Sequence, residues 1–258
     1  MIDTHSHIYS KEFDADRGEC LERAWTAGIE ALILPDIDSS SRGRMFDLAA
    51  AEPQRCLPLA GFHPTSVNDN ASWREELDMV ERLLQSPPMR LYGVGEIGLD
   101  LYWSQEFFRE QREALHAQLE LALQYDMPVV IHTRSAYEQM LDAVATYRGR
   151  GLRGVFHAFA DSADMARKLC REGDFFIGVG GVVTFKNAGL DRVIAELPTE
   201  LLLLETDCPY LTPVPHRGKR NESAYVDLVC RKVADLHGKS YEQVDDITTR
   251  SARMLFGI

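Results

Sequence analysis

The chain has 258 residues with 28 Lys+Arg against 40 Asp+Glu, a formal net charge of −12, and is 45% hydrophobic and 26% charged. These globular proportions exclude disordered, collagenous and low-complexity classes. The acidic surplus opposes coating of nucleic acid or anionic membrane by bulk electrostatics, while leaving room for a local basic site.

The start, MIDTHSHIYS, lacks the basic and apolar regions of a secretory signal. No run approaches the roughly 18 apolar residues of a membrane span. Five scattered cysteines without a CxxC read as reduced core thiols rather than a disulfide framework or zinc knuckle. A cytoplasmic protein with no membrane attachment and no obligate protein partner is expected.

Short apolar runs follow in order: Met1–His7, Ala31–Ile37, Cys56–Pro64, Leu91–Asp100, Pro128–Thr133, Gly154–Phe159, Phe175–Gly181 and Leu201–Asp207. Amphipathic segments separate them; in Gln105–Tyr125, Phe108, Leu115, Leu119 and Ala122 share one face. Val244–Phe256 reads as a terminal helix closing the fold. Eight buried strands alternating with helices predict an α/β chain folded as one TIM-like (β/α)₈ barrel, for which about 250 residues are typical. No composition shift or Pro/Gly/Ser linker divides the chain, so a single domain over 1–258 is expected.

Six of the eight runs carry an odd polar residue at or near the C-terminal end: His5 and His7, His63, Glu96, His132, His157 and Asp207. That end is the catalytic face of such a barrel. His5 and His7, two apart on a strand, share a face and can reach one ion. His132 ends PVVIH and His157 lies in GVFHAF, apolar settings where an unpartnered imidazole is costly. His5, His7, Glu96, His132, His157 and Asp207 make six candidate metal ligands, whereas a catalytic zinc takes about three and keeps a position open. Six suit two divalent ions, with Glu96 giving one oxygen to each across about 3.5–4 Å. Imidazole with carboxylate suits Zn²⁺, Mn²⁺, Ni²⁺ or Fe²⁺, and Mg²⁺ less naturally.

Gly93–Gly98 matches GxGxxG, the dinucleotide fingerprint. That motif needs a helix N-terminus immediately afterwards. Here LDLYW follows and Glu96 repels an anion, so the glycines are read as allowing close backbone approach around Glu96. Gly178 to Gly181 are read as allowing close packing in the seventh strand, and His116 and His237 as surface or capping residues.

The segments IDTHSH, GFHP, GEIGLD, PVVIHTR, FHAF and ETDCPYLTPVPHRGKRNE, in this order, closely resemble the TatD-like metal-dependent hydrolases, deoxyribonucleases of the wider amidohydrolase barrel superfamily. The resemblance spans Ile2 to Phe256. It implies a dinuclear centre in which His5, His7, Glu96 and Asp207 hold one ion and Glu96, His132 and His157 the other, with Glu96 where many superfamily relatives bridge with a modified lysine. It further implies phosphodiester hydrolysis, mainly 3′-to-5′ exonuclease action on single-stranded DNA and sometimes RNA. Asp207 is then the base that orients or deprotonates an acidified water. Glu205, on the same strand face, either holds a histidine or water from behind or serves as inner-barrel polar packing. His63 resembles the family's substrate-contacting histidine.

The loop His216–Asn221 follows the eighth strand, where barrels often bind phosphate. Arg217 suits bidentate phosphate contact, Lys219 a point charge, and Asn221 completes this substrate set; Arg134 is a further candidate. Tyr102 and Trp103 either stack a base or pack on the barrel. Two divalent ions bring the charge to −12 + 4 = −8, which opposes tight duplex binding and favours local engagement of strand ends. The competing reading is a metal-dependent hydrolase of a small amide, ester or lactone, because the superfamily shares the barrel and much of the ligand set.

Overall fold

A computed structural model describes residues 1–258 of the protein. Eight parallel strands form two hydrogen-bonded runs: β1 (Ile2–Asp3), β2 (Ala31–Leu34) and β3 (Cys56–Pro58), then β4 (Val94–Asp100), β5 (Val129–Arg134), β6 (Arg153–Phe156), β7 (Asp174–Val179) and β8 (Leu202–Leu204). Two seams join the runs. At one, Tyr92 N donates to Pro58 O (3.0 Å) and Gly95 N to Ala60 O (2.8 Å). At the other, Thr4 N donates to Leu204 O (3.0 Å) and Asp207 N to His5 O (2.9 Å). The ring is therefore a closed (β/α)₈ barrel, the architecture expected.

The helices are α1 (Arg17–Thr26), α2 (Ser39–Ala51), α3 (Pro64–Val67), α4 (Trp73–Gln85), α5 (Phe108–Gln124), α6 (Tyr137–Ala145), α7 (Ala163–Cys170), α8 (Leu190–Ala195), α9 (Val226–His237) and α10 (Tyr241–Phe256). None is long and apolar enough to cross a membrane. Leu115, Leu119 and Ala122 are buried in α5 as the period predicts, and Gln111 and Gln118 are buried beside them. The five cysteines are unpaired thiols, four of them buried.

Alternation along the strands separates two apolar layers. Ile33, Leu57, Leu59, Val130, Val155, Phe176 and Leu203 fill the barrel interior. Leu32, Leu34, Val129, Ile131, Ile177, Leu202 and Leu204 face outward into the shell beneath the helices. The inner layer also takes Ala252, Leu255 and Phe256 from α10, which plugs the end where the strands begin. That helix starts three residues before Val244, at a capping box made by Ser240 and Gln243. Phe256 is only 3% exposed, so Phe256→Ala is expected to lower unfolding free energy by about 3–5 kcal/mol. Urea unfolding checks this, and a change under 1 kcal/mol would remove the plug's role.

Apart from β4 and β5, the strands stop before the C-terminal ends of the apolar runs. Only Ile2–Asp3 of the first run and Leu202–Leu204 of the last enter the ladder. Beyond those points the chain stops pairing continuously and turns its polar side chains into the mouth.

Candidate metal centre

At the end of β1 the chain bends at Thr4, and His5 and His7 then face the mouth together. Ser6 turns away, with its Oγ 2.9 Å from Ser223 Oγ. Glu96 reaches the centre through a bulge in β4: Gly95 pairs with Val130 and Ile97 with Ile131, leaving Glu96 as the extra residue. The chain after β2 holds the bulge, since Asp36 N donates to Gly95 O and Glu96 N donates to Asp36 O, both 2.9 Å. The glycines permit this approach. A Cβ on Gly61 would lie 2.5 Å from the Gly95 carbonyl carbon, and one on Gly95 would lie 2.7 Å from Val130 Cβ. The dinucleotide reading is thereby displaced by the close-approach one.

The two oxygens of Glu96 gather separate sets of donors. Around Oε2 lie His5 Nε2 (3.2 Å) and His7 Nε2 (3.5 Å). These nitrogens are 3.1 Å from each other and 3.8 and 3.5 Å from Asp207 Oδ1. Tetrahedral ligands at about 2.0–2.1 Å from an ion stand about 3.3–3.4 Å apart, so the spacing fits a divalent cation. Around Oε1 lie His132 Nδ1 (3.0 Å), His157 Nε2 (3.3 Å) and His63 Nε2 (3.2 Å).

Hydrogen bonds behind the rings decide which of these nitrogens present lone pairs. Tyr9 Oη donates to Pro35 O (2.6 Å) and so accepts from His7 Nδ1 (3.0 Å), freeing His7 Nε2. Asp100 Oδ2 takes His132 Nε2–H at 2.9 Å, freeing Nδ1. Glu205 Oε1 takes His157 Nδ1–H at 3.2 Å and the Ala158 N–H, freeing Nε2. The side chain at Glu205 thus holds a histidine from behind. A Cβ on Gly178 would lie 2.4 Å from its Oε2, which is the close packing expected of the β7 glycines.

His63 is oriented the other way. It caps α3, its Nδ1 accepting from Thr65 N at 3.2 Å. The neutral ring then carries its proton on Nε2 and faces the centre with a donor rather than a lone pair.

Electrostatics follow from this crowding. Burial opposes charge on Glu96, yet His63, His5 and His157 hold its carboxylate well below the usual range. Burial likewise opposes charge on His7, but hydrogen bonds donated to Asp207 and Glu96 push its pKa up to about 9. His157 is also raised well above its ordinary value, against the same opposition, by the charges of Glu205 and Glu96. Without an ion, imidazolium protons balance the carboxylates. The Asp207 side chain, 14% exposed against 3% for Glu96, is the more open carboxylate.

Around the mouth, Arg217 and Lys219 are exposed on the loop after β8, with the Arg217 guanidinium 4.3 Å over the Phe185 ring. Arg134 lies 3.8 Å over the Tyr102 ring, and Tyr102 and Trp103 are 57% and 68% exposed. These two therefore do not pack into the barrel wall. His116 of α5 bonds to Tyr147 in the turn after α6 (2.8 Å).

Asn221 requires a correction. It is fully buried, its Nδ2 donating to Thr206 O (2.8 Å) and Tyr210 O (2.6 Å) and its Oδ1 accepting from Glu222 N (3.0 Å). An amide so occupied has nothing left for substrate; it shapes the loop after β8. Sequence reasoning also missed Asp100, Tyr9 and the two α5 glutamines. Gln118 bonds both backbone groups of Phe62, and Gln111 both of Asp100, so α5 sets the loops carrying His63 and Asp100. The one signal available for Asp100 was its place at the polar end of an apolar run.

A family model described as "TatD related DNase" matches residues 2–257. An uncharacterized metal-dependent hydrolase of Bacillus subtilis, YabD, is 34% identical over 263 residues, covering 100% of this chain and 99% of that one. A protein of Citrobacter rodentium named 3′-5′ ssDNA/RNA exonuclease TatD is 30% identical over 264 residues, covering 100% and 98%. The crystal structure of YjjV, a TatD homologue from Escherichia coli, superposes with a TM-score of 0.92 at 28% identity, covering 100% and 98%. With the barrel and its imidazole–carboxylate centre in place, these matches establish that the chain belongs to the TatD-related DNase family of metal-dependent hydrolases.

Proposed function

We propose that the protein hydrolyses phosphodiester bonds at the ends of single-stranded DNA or RNA, acting 3′ to 5′, with two divalent ions sharing Glu96. The carrying observation is the division of donors between the two Glu96 oxygens: His5, His7 and Asp207 on one side, His132 and His157 on the other. Imidazole with carboxylate suits Zn²⁺ or Mn²⁺, with Ni²⁺ and Mg²⁺ as alternatives. When bound there, such ions supply Lewis-acid neutralisation of phosphate charge and lower the pKa of a water toward about 7.

The chain's own groups do the rest. Asp207, the more open carboxylate, orients the attacking water and accepts its proton. His63 donates Nε2–H to a non-bridging phosphate oxygen, and Arg217 and Lys219 meet the phosphate from the loop after β8. Tyr102 and Trp103 offer exposed rings for an unpaired base, which duplex DNA does not present. The name of the Citrobacter relative agrees with this substrate class.

The test is hydrolysis of single-stranded DNA, duplex DNA and RNA oligonucleotides with Mg²⁺, Mn²⁺ and Zn²⁺, beside small carboxyl esters, amides and lactones. Loss of 3′-terminal nucleotides from single strands is expected. Turnover of the small substrates with intact oligonucleotides would overturn the proposal. His63→Gln is expected to raise KM about 10- to 100-fold at unchanged metal content, because its ring meets substrate through a donor. Loss of an ion in that variant would make His63 a ligand instead.

A further inference from the structure

Asp100 closes β4 with its two carboxylate oxygens engaged on different sides. Oδ2 holds His132 Nε2 at 2.9 Å. Oδ1 accepts from the backbone N–H groups of Tyr102 (3.0 Å) and Trp103 (3.4 Å). The residue is 1% exposed, and its own N–H and C=O are both tied to Gln111, at 2.8 and 3.0 Å. The rings whose backbone it orients, Tyr102 and Trp103, are both exposed at the rim. Arg134 lies over them, 3.8 Å from the Tyr102 centroid and 5.4 Å from that of Trp103. Arg134 is also the β5 register partner of Asp100, and its carbonyl accepts from Leu101 N at 2.9 Å. One buried carboxylate therefore touches an imidazole of the centre and the two amides that set the aromatic rim.

We propose that Asp100 is a positioning residue that couples the Tyr102–Trp103–Arg134 rim to the His132 side of the metal centre. His132 offers a lone pair at Nδ1 only while its Nε2–H has an acceptor, and the rim loop keeps its turn only while its amides have one. Both requirements fall on the same rigid carboxylate. An arrangement that satisfies one stabilises the other, so a base laid on the rim tightens the ion at His132, and that ion orders the rim by the same factor. The coupling rests on the reading above for the ion and the unpaired base, while the link itself is seen in the hydrogen bonds.

Asp100→Asn isolates the link. The carboxamide has one acceptor and one donor, so it serves the imidazole or the amides but not both. Metal-depleted protein is titrated with Mn²⁺, counting ions bound per chain by equilibrium dialysis. Trp103 emission is followed as the difference from Trp103→Phe, with and without a phosphorothioate oligothymidylate. The native chain is expected to bind two ions, the second changing Trp103 emission and binding severalfold more tightly with the oligonucleotide present.

In Asp100→Asn the ion at His5 and His7 should remain, which also reports an intact fold. The second should weaken about 10- to 100-fold, and Trp103 should stop responding. Unchanged second-ion affinity in that variant, or an unchanged Trp103 and oligonucleotide response, overturns the coupling. Two ions with a silent Trp103 in the native chain overturns the coupling alone, whereas fewer than two ions in the native chain overturns the proposed function beneath it.

Discussion

Glu96→Gln is expected to cost more hydrolysis than any other single substitution, a fall of more than about 10³-fold, beyond the 10²–10³ lost with one charge-stabilising donor. Each Glu96 oxygen faces its own set of imidazole nitrogens, at 3.2 and 3.5 Å on one side and 3.0 to 3.3 Å on the other. A carboxamide keeps the shape but replaces one oxygen with an NH₂ that points its hydrogens at nitrogen lone pairs. One donor set therefore loses its shared ligand and the other loses its charge. The measurement is metal content by atomic emission beside nuclease rate. Full occupancy of both ions in the variant would show that the carboxylate does not bridge, whatever happens to the rate.

The second large effect is on metal affinity as a function of pH. His7 lies above its ordinary value of 6.5, at about 9, because Asp207 and Glu96 stabilise its charged form against the opposing cost of burial. In the metal-free protein the ring is protonated below that value, and ligation must expel the proton. Apparent affinity for the ion at His5 and His7 should therefore rise with pH, about tenfold per unit for one proton, and level off near pH 9. From pH 6.5 to the plateau above pH 9 that is about 300-fold, about half of it reached at pH 9 itself. His157 also lies well above its ordinary value and would add its own proton to the binding of a second ion. Calorimetric titrations in buffers of different ionisation enthalpy count the protons released. A pH-independent affinity with no proton release would show that His7 is already neutral in the metal-free chain.

Much of the barrel can be read from the sequence because its strands are buried on both faces, which makes them continuous apolar runs that stand out from amphipathic helices. The polar ends of those runs marked His5, His7, Glu96, His132, His157 and Asp207, and all six converge at the mouth. The runs overstated strand length, since a residue such as His7 or Asp207 has left the continuous ladder even though the chain around it still reads as extended. The loop HRGKRN shows a different limit. Composition groups Arg217, Lys219 and Asn221 as polar, but only the fold shows that the first two are in solvent and the third is buried against the carbonyls of Thr206 and Tyr210.

By itself the sequence determined the alternation of strands and helices, the closing helix and which imidazole and carboxylate side chains end at the mouth, because periodicity and residue type are local properties of the chain. Which nitrogen of His7, His63, His132 and His157 presents a lone pair or a proton to the centre was decided only by tertiary structure. Those choices depend on Tyr9, Asp100, Glu205 and the Thr65 amide. His157 and Glu205 lie 48 positions apart in the chain, and His132 and Asp100 32 apart. A hydrogen bond acts over about 3 Å of space, whatever the separation along the chain. The same holds for the Glu96 bulge, which exists because Asp36 and Gly61 arrive beside it from other strands.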